Sequence, residues 1–288
     1  MKGKGTFNSI AGYMLIIAML AFIGTGCSHK KAETEPETLT DKELYEQAKG
    51  KIKHNPEKAR MLFKEVMHLY PDSIYARRAK IGIADSYFGE KDSGSLLMAA
   101  AEYDEYVNLY PNSPDSVYAK YQNAMCYFEQ IKKPGRDQTN TLLAVKALEN
   151  MIKLYPDTQE AKDAKLKLEK CRQILAEHYF GIGFTNFRMG ALKGASERYR
   201  QIIDEYPDYT QNDKLFYYTG LCYFRMQLLE PATSFFQKVI STYPQSKYVK
   251  KAGSMLAEIA KIQATKSKTP PQPASEKKEN ETGGESQH

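Results

Sequence analysis

A short frame recurs five times in this chain and constrains its fold more than any other feature. It is an alanine, a large residue four positions on, another three further on, and a Tyr-Pro pair four after that. The copies are Ala59-Phe63-Val66-Tyr70-Pro71, Ala99-Tyr103-Tyr106-Tyr110-Pro111, Ala144-Leu148-Met151-Tyr155-Pro156, Ala195-Tyr199-Ile202-Tyr206-Pro207 and Ala232-Phe236-Val239-Tyr243-Pro244. Steps of four, three and four put the marked residues on one face of a helix. Proline then ends the helix, because it lacks an N–H and drives the residue before it out of the helical region. The repetition predicts an all-α fold, a superhelical array of five tetratricopeptide-like helix pairs with a C-terminal capping helix. Each pair buries its apolar face on its neighbours, so the chain needs no single large core.

The repeats fall at about 41–71, 72–111, 112–156, 157–207 and 208–244, with the cap at 247–264. Thr40-Asp41-Lys42-Glu43 has the form of a capping box opening the first helix. Ser73, Ser113, Thr158 and Ser246 follow the prolines and offer side-chain oxygens to the next helix. Gly89–Gly94 and Lys132–Asn140 read as loops inserted within repeats two and three, and 159–189 as one long first helix. In the cap, Val249, Ala252, Leu256, Ile259 and Ile262 share a side. Residues 265–288 carry four Lys and four Glu with almost nothing to bury, the composition of a disordered tail.

At the other end, Lys2 and Lys4 precede an apolar run from Ile10 to Ile23, too short for a comfortable membrane span, then Gly24-Thr25-Gly26-Cys27. Small residues before a cysteine at the end of such a run resemble a bacterial lipobox, although Gly24 stands where leucine is usual. That resemblance implies a signal peptide at 1–26, acylation of Cys27 and a tether at 27–40. Ser28 after the cysteine implies release to the outer membrane, with the body of the protein on its periplasmic face. Without Lys2 and Lys4 the net charge of +6 falls to about +4, which gives no case for a nucleic-acid partner. Cys126, Cys171 and Cys222 remain and cannot all pair within one chain. Cys126 and Cys222 occupy the slot that holds Ser86 in repeat two, which marks a small packing position.

No catalytic constellation emerges, and neither a metal nor a cofactor is expected. His29, His54, His68, His178 and His288 keep no ligand spacing with one another. Gly181-Ile182-Gly183 lies inside a helical pattern with no strand before it, so its glycines suit close helix packing rather than a nucleotide loop. What remains is binding. First helices of stacked units line a groove, and the pattern turns Arg78, Asp85, Tyr118 and Tyr121 toward it, with Tyr217 at the same place in repeat five. Such side chains suit an extended peptide, and the two Tyr equally suit half-buried packing.

The lipobox and the five Tyr-Pro units together resemble the BamD family of outer-membrane protein assembly lipoproteins. The most specific likeness runs through Arg136-Asp137-Gln138, Tyr155-Pro-Asp-Thr158, Leu175-Ala-Glu-His178, Gly190, Ala195, Arg198 and Tyr206-Pro-Asp208. It covers about 27–264. The resemblance implies a non-enzymatic subunit that docks on the POTRA domains of BamA beside other Bam lipoproteins. It also implies that the N-terminal repeats receive unfolded β-barrel clients. Arg198 matches a family arginine turned to BamA. Gly181, Gly183 and Phe184 depart from the family pattern, which has larger polar or aromatic residues there. The alternative reading is a periplasmic repeat lipoprotein of pilus or cell-envelope assembly.

Overall fold

The computed structural model describes residues 39–268, so the readings on Cys27, the signal peptide, most of the tether and the last twenty residues lie outside it. The described residues form eleven helices: α1 (Asp41–Lys51), α2 (Pro56–Leu69), α3 (Ile74–Glu90), α4 (Ser93–Leu109), α5 (Asp115–Phe128), α6 (Thr139–Leu154), α7 (Gln159–Arg188), α8 (Leu192–Glu205), α9 (Asn212–Arg225), α10 (Leu229–Thr242) and α11 (Val249–Lys268). They make five antiparallel pairs and a cap. Each helix packs on its chain neighbours, and α1 also touches α3 as α5 touches α7. In these two places first helices approach one another more closely than any second helices do, as on the inner face of a repeat array.

The five frames build five cores. Ala59, Phe63 and Val66 join residues of α1 and α3 in one, and each later frame lies likewise between two first helices or, in repeat five, between α9 and α11. All fifteen frame residues before the Tyr-Pro pairs are fully buried. The five tyrosines end their helices with nearly the same backbone, φ between −127° and −134° and ψ between 56° and 60°. Each N–H still closes a last helical turn, and the following proline forbids another. At the start, Glu43 N–H donates to Thr40 Oγ1 at 3.3 Å and Thr40 N–H to Glu43 Oε2 at 3.0 Å, completing the capping box.

Gly82, Gly183 and Gly220 sit against frame rings. A Cβ there would lie 2.4 Å from Phe63, 2.6 Å from Tyr199 and 2.7 Å from Phe236 respectively. Gly181 meets nothing within 4 Å, so only the second glycine of that pair serves close packing. Gly190 takes φ +81° just past α7, a left-handed stop that an L side chain resists.

Two boundaries differ from the sequence reading. Gly89–Gly94 is not an inserted loop: α3 runs to Glu90 and α4 starts at Ser93. Lys91 turns the chain at φ 63°, and Asp92 caps α4 by accepting from Gly94 and Ser95 N–H, so repeat two is long because its helices are long. The cap helix runs to Lys268, past the expected end at 264.

Helix α7 is shared between two cores. Ala161, Ala164, Leu168 and Cys171 pack with α6, and Ala176 and Phe180 pack with α8. Cys126, Cys171 and Cys222 are buried free thiols. Burial pushes Cys126 and Cys222 up to about 12 and Cys171 up to about 11, so none is a thiolate at neutral pH. The phenol oxygen of Tyr199 is buried and has no hydrogen-bond partner among the described residues. Tyr199→Phe removes that orphaned group while keeping the ring on Phe180, and is expected to stabilise the fold by about 1 kcal/mol. A shift of the urea midpoint to higher concentration checks this, and a lower midpoint refutes it.

Candidate functional site

The inner face carries a cleft of about 290 Å³ where three first helices meet. Helix α1 contributes Tyr45, Glu46 and Lys49, α3 contributes Arg78 and Ile81, and α5 contributes Asp115 and Tyr118. The sequence explains the convergence. On α3, Ala79, Gly82, Ile83 and Ser86 are buried, so Arg78 is left facing out above the buried floor residue Ile81. Tyr45 and Lys49 each follow a buried α1 residue, Leu44 and Ala48, and lie one turn apart.

Asp85 anchors the cleft from behind. Its Oδ1 accepts from Tyr103 Oη at 2.5 Å and from Tyr118 Oη at 2.9 Å. Burial raises the Asp85 carboxyl above the ordinary carboxylate range, while the two phenol hydrogen bonds pull it down. Burial, reinforced by the neighbouring carboxylate, holds both phenols well above their usual range, so both remain donors. Tyr118 is 37% exposed and meets Tyr103 edge to face. Its outward ring is thereby fixed in position. Glu46, Lys49, Arg78 and Asp115 make no ion pair among the described residues, so two cations and two anions border the cleft without a direct partner.

Arg78, Asp85 and Tyr118 thus come together, and Tyr121 lies apart. The Tyr121 hydroxyl donates to Asp163 Oδ2 of α7, which ties two first helices to each other. Tyr217 stacks on Tyr248 with centroids 5.0 Å apart and serves the junction with the cap. Tyr45, Glu46, Lys49 and Asp115 were not singled out from sequence. Tyr45, Lys49 and Asp115 share the signal of Arg78, a position beside a buried residue on a first helix, and Glu46 does not.

Arg198 stands exposed on α8, on the outer side of the pair. Its Nη1 donates to Gln201 Oε1 at 2.9 Å, and its guanidinium carbon lies 5.9 Å from the Tyr179 ring centroid. It has no carboxylate partner among the described residues. A guanidinium held at one edge and open at the other can take a partner carboxylate through charge-assisted hydrogen bonds.

The motif Arg136-Asp137-Gln138 and the distant His178 also meet. Gln138 is buried, and its Nε2 donates to the carbonyls of Lys133 and Arg136 at 2.9 and 3.0 Å. Its Oε1 accepts from Thr141 at 2.7 Å. His178 Nδ1 lies 2.6 Å from the Pro134 carbonyl oxygen. These residues pin the loop between α5 and α6 onto α7.

The family model described as an outer membrane lipoprotein, YfiO, matches residues 37–234. The chain belongs to this family, that of BamD. A BamD outer membrane protein assembly factor of Caulobacter vibrioides is 33% identical over 144 residues, 50% of this chain and 46% of that protein. One from Rickettsia prowazekii is 31% identical over 117 residues, 38% of this chain and 47% of that protein. The chain thus spans about half the length of these two relatives. One from Haemophilus influenzae is 21% identical over 205 residues, 67% of this chain and 76% of that protein. Among solved structures, a thermophilic TPR protein of Thermus thermophilus is 12% identical, covering 76% of this chain and 100% of its own, with a TM-score of 0.31. The fold assignment rests on the helix pairs of this BamD-family chain, and that score adds nothing to it. No helix among the described residues is long and apolar enough to cross a membrane.

Proposed function

We propose that this chain is a non-enzymatic scaffold of outer-membrane protein assembly, held at the periplasmic face of the outer membrane by acyl chains on Cys27. The single observation that carries the reading is the inner cleft of Arg78 and Tyr118, in an array whose residues 37–234 match the outer membrane lipoprotein family. The relatives are named outer membrane protein assembly factors, and a repeat array supplies surfaces rather than reactive groups.

In this reading the cleft receives unfolded β-barrel clients. An extended segment lies across α1, α3 and α5, an aromatic side chain meets Tyr118, and Arg78 and Lys49 take client carboxylates. The outer face of α8 docks on the POTRA domains of BamA through Arg198, with the other Bam lipoproteins on the same assembly. No nucleic acid takes part.

Co-purification from detergent-solubilised outer membranes tests the scaffold: BamA is expected with the wild-type protein, and secretion or division proteins in its place would overturn the reading. Arg198→Glu is expected to lower recovery of BamA about tenfold with helix content unchanged, since a repulsive charge replaces a charge-assisted bond. Arg78→Glu is expected to lower binding of a urea-unfolded β-barrel protein about tenfold and to leave BamA recovery intact. Unchanged client binding by that variant would remove the cleft from the proposal.

A further inference from the structure

We propose that a second recess, between the α5–α6 loop and α7, binds an acidic peptide segment that inserts one large apolar side chain. The recess has a volume of about 340 Å³ and lies apart from the Arg78 cleft. Phe128, Ile131 and Ile174 form its apolar floor, Lys132, Lys133 and Lys170 stand around it, and no acidic residue lines it. Lys167 and Lys170 each place an ammonium 5.4 Å from the Phe128 ring centroid. Lys167 has Asp163 at 3.9 Å, but the ammoniums of Lys132, Lys133 and Lys170 make no ion pair or hydrogen bond among the described residues. Three exposed cations with no direct ion-pair partner among the described residues therefore surround an apolar hollow, and Asp137 acts on Lys132 only at longer range.

The loop that carries two of them is fixed in advance. Gln138 holds the Lys133 and Arg136 carbonyls, and His178 holds that of Pro134. A ligand meets lysines whose backbone is already placed, which saves ordering cost on binding. The occupant follows from charge and shape. A hollow of this size takes one phenylalanine, leucine or methionine side chain, and the ammoniums call for carboxylates on both sides of it. The hollow is recessed between the α5–α6 loop and α7, where a single side chain enters and the flat surface of a bilayer does not.

The test uses the full chain in detergent micelles and a fluorescein-labelled Gly-Glu-Glu-Phe-Glu-Glu-Gly peptide, read by fluorescence anisotropy. Wild-type protein is expected to bind it, more weakly as salt rises. The variant Lys132→Ala/Lys133→Ala/Lys170→Ala is expected to lose at least tenfold in affinity with an unchanged melting temperature, since these side chains are exposed and unpaired. A peptide with serine in place of phenylalanine is expected to lose a similar factor. Arg78→Glu is expected to leave the affinity unchanged, so this result stands or falls separately from client binding in the cleft. Any of four outcomes overturns the site: no peptide binding by the wild type, equal binding by the triple variant, equal binding of the serine peptide, or lysine-dependent capture of phosphatidylglycerol vesicles without capture of the peptide.

Discussion

A chain that stops after Pro244 is expected to lose the fifth repeat along with the helix it lacks. Tyr248, Ala252 and Ile259 are buried in one core with Phe216, Phe236 and Val239, and Met255, Leu256 and Ile262 are partly buried against it. At about 1.5–3 kcal/mol per large apolar side chain buried, their removal costs on the order of 8 kcal/mol. That is comparable to the whole stability of a typical domain, and here it falls on one terminal helix pair. In an array each unit is held only by its neighbours, so α9 and α10 are expected to melt while α1 to α6 persist. Circular dichroism is expected to show a loss of helix well beyond the 20 residues of α11. Hydrogen exchange is expected to show protection lost in α9 and α10 alone. A helix loss matching α11 and no more would refute the capping role.

Gly82→Val is expected to destabilise the fold by about 3 kcal/mol, the upper end of ordinary overpacking. The added Cβ falls 2.4, 2.6 and 2.7 Å from three ring carbons of Phe63. That ring is fully buried among Ala59, Leu62, Val66 and Ala79, so it has nowhere to turn. Gly89→Ala on the same helix is the control. Its Cβ would meet nothing within 4 Å, and it is expected to be neutral or to stabilise by up to about 1 kcal/mol through helix propensity. Urea midpoints of the two variants check the contrast, and coincident midpoints would refute it.

The sequence revealed the array because its signals are local. The frame spacing is a property of one helix, and the Tyr-Pro stop acts on the residue beside it. All fifteen frame positions are consequently buried, and α7 spans Gln159–Arg188 against the 159–189 read from the pattern. The loop expected at Gly89–Gly94 failed for an equally local reason. Two glycines and two acidic residues look like a break, yet Gly89 is tolerated at the end of α3 and Lys91 alone takes the left-handed turn. The inner surfaces were less legible because they depend on where successive first helices meet. Tyr118 and Tyr121 sit one turn apart on α5, but one reaches back to Asp85 on α3 and the other forward to Asp163 on α7. Spacing along a helix cannot choose between neighbours on either side. The meeting of Gln138 and His178 at one loop is likewise a matter of three-dimensional placement.

The division of α7 between two cores has a mechanical consequence. Thirty residues of continuous helix form a strut of about 45 Å, clamped by α6 along one half and by α8 along the other. Compliance therefore concentrates at the short linkers elsewhere, and the span from repeat three to repeat four transmits torque as a single lever. A load applied at α8 is felt at the loop pinned by His178 before it reaches the joints nearer α1.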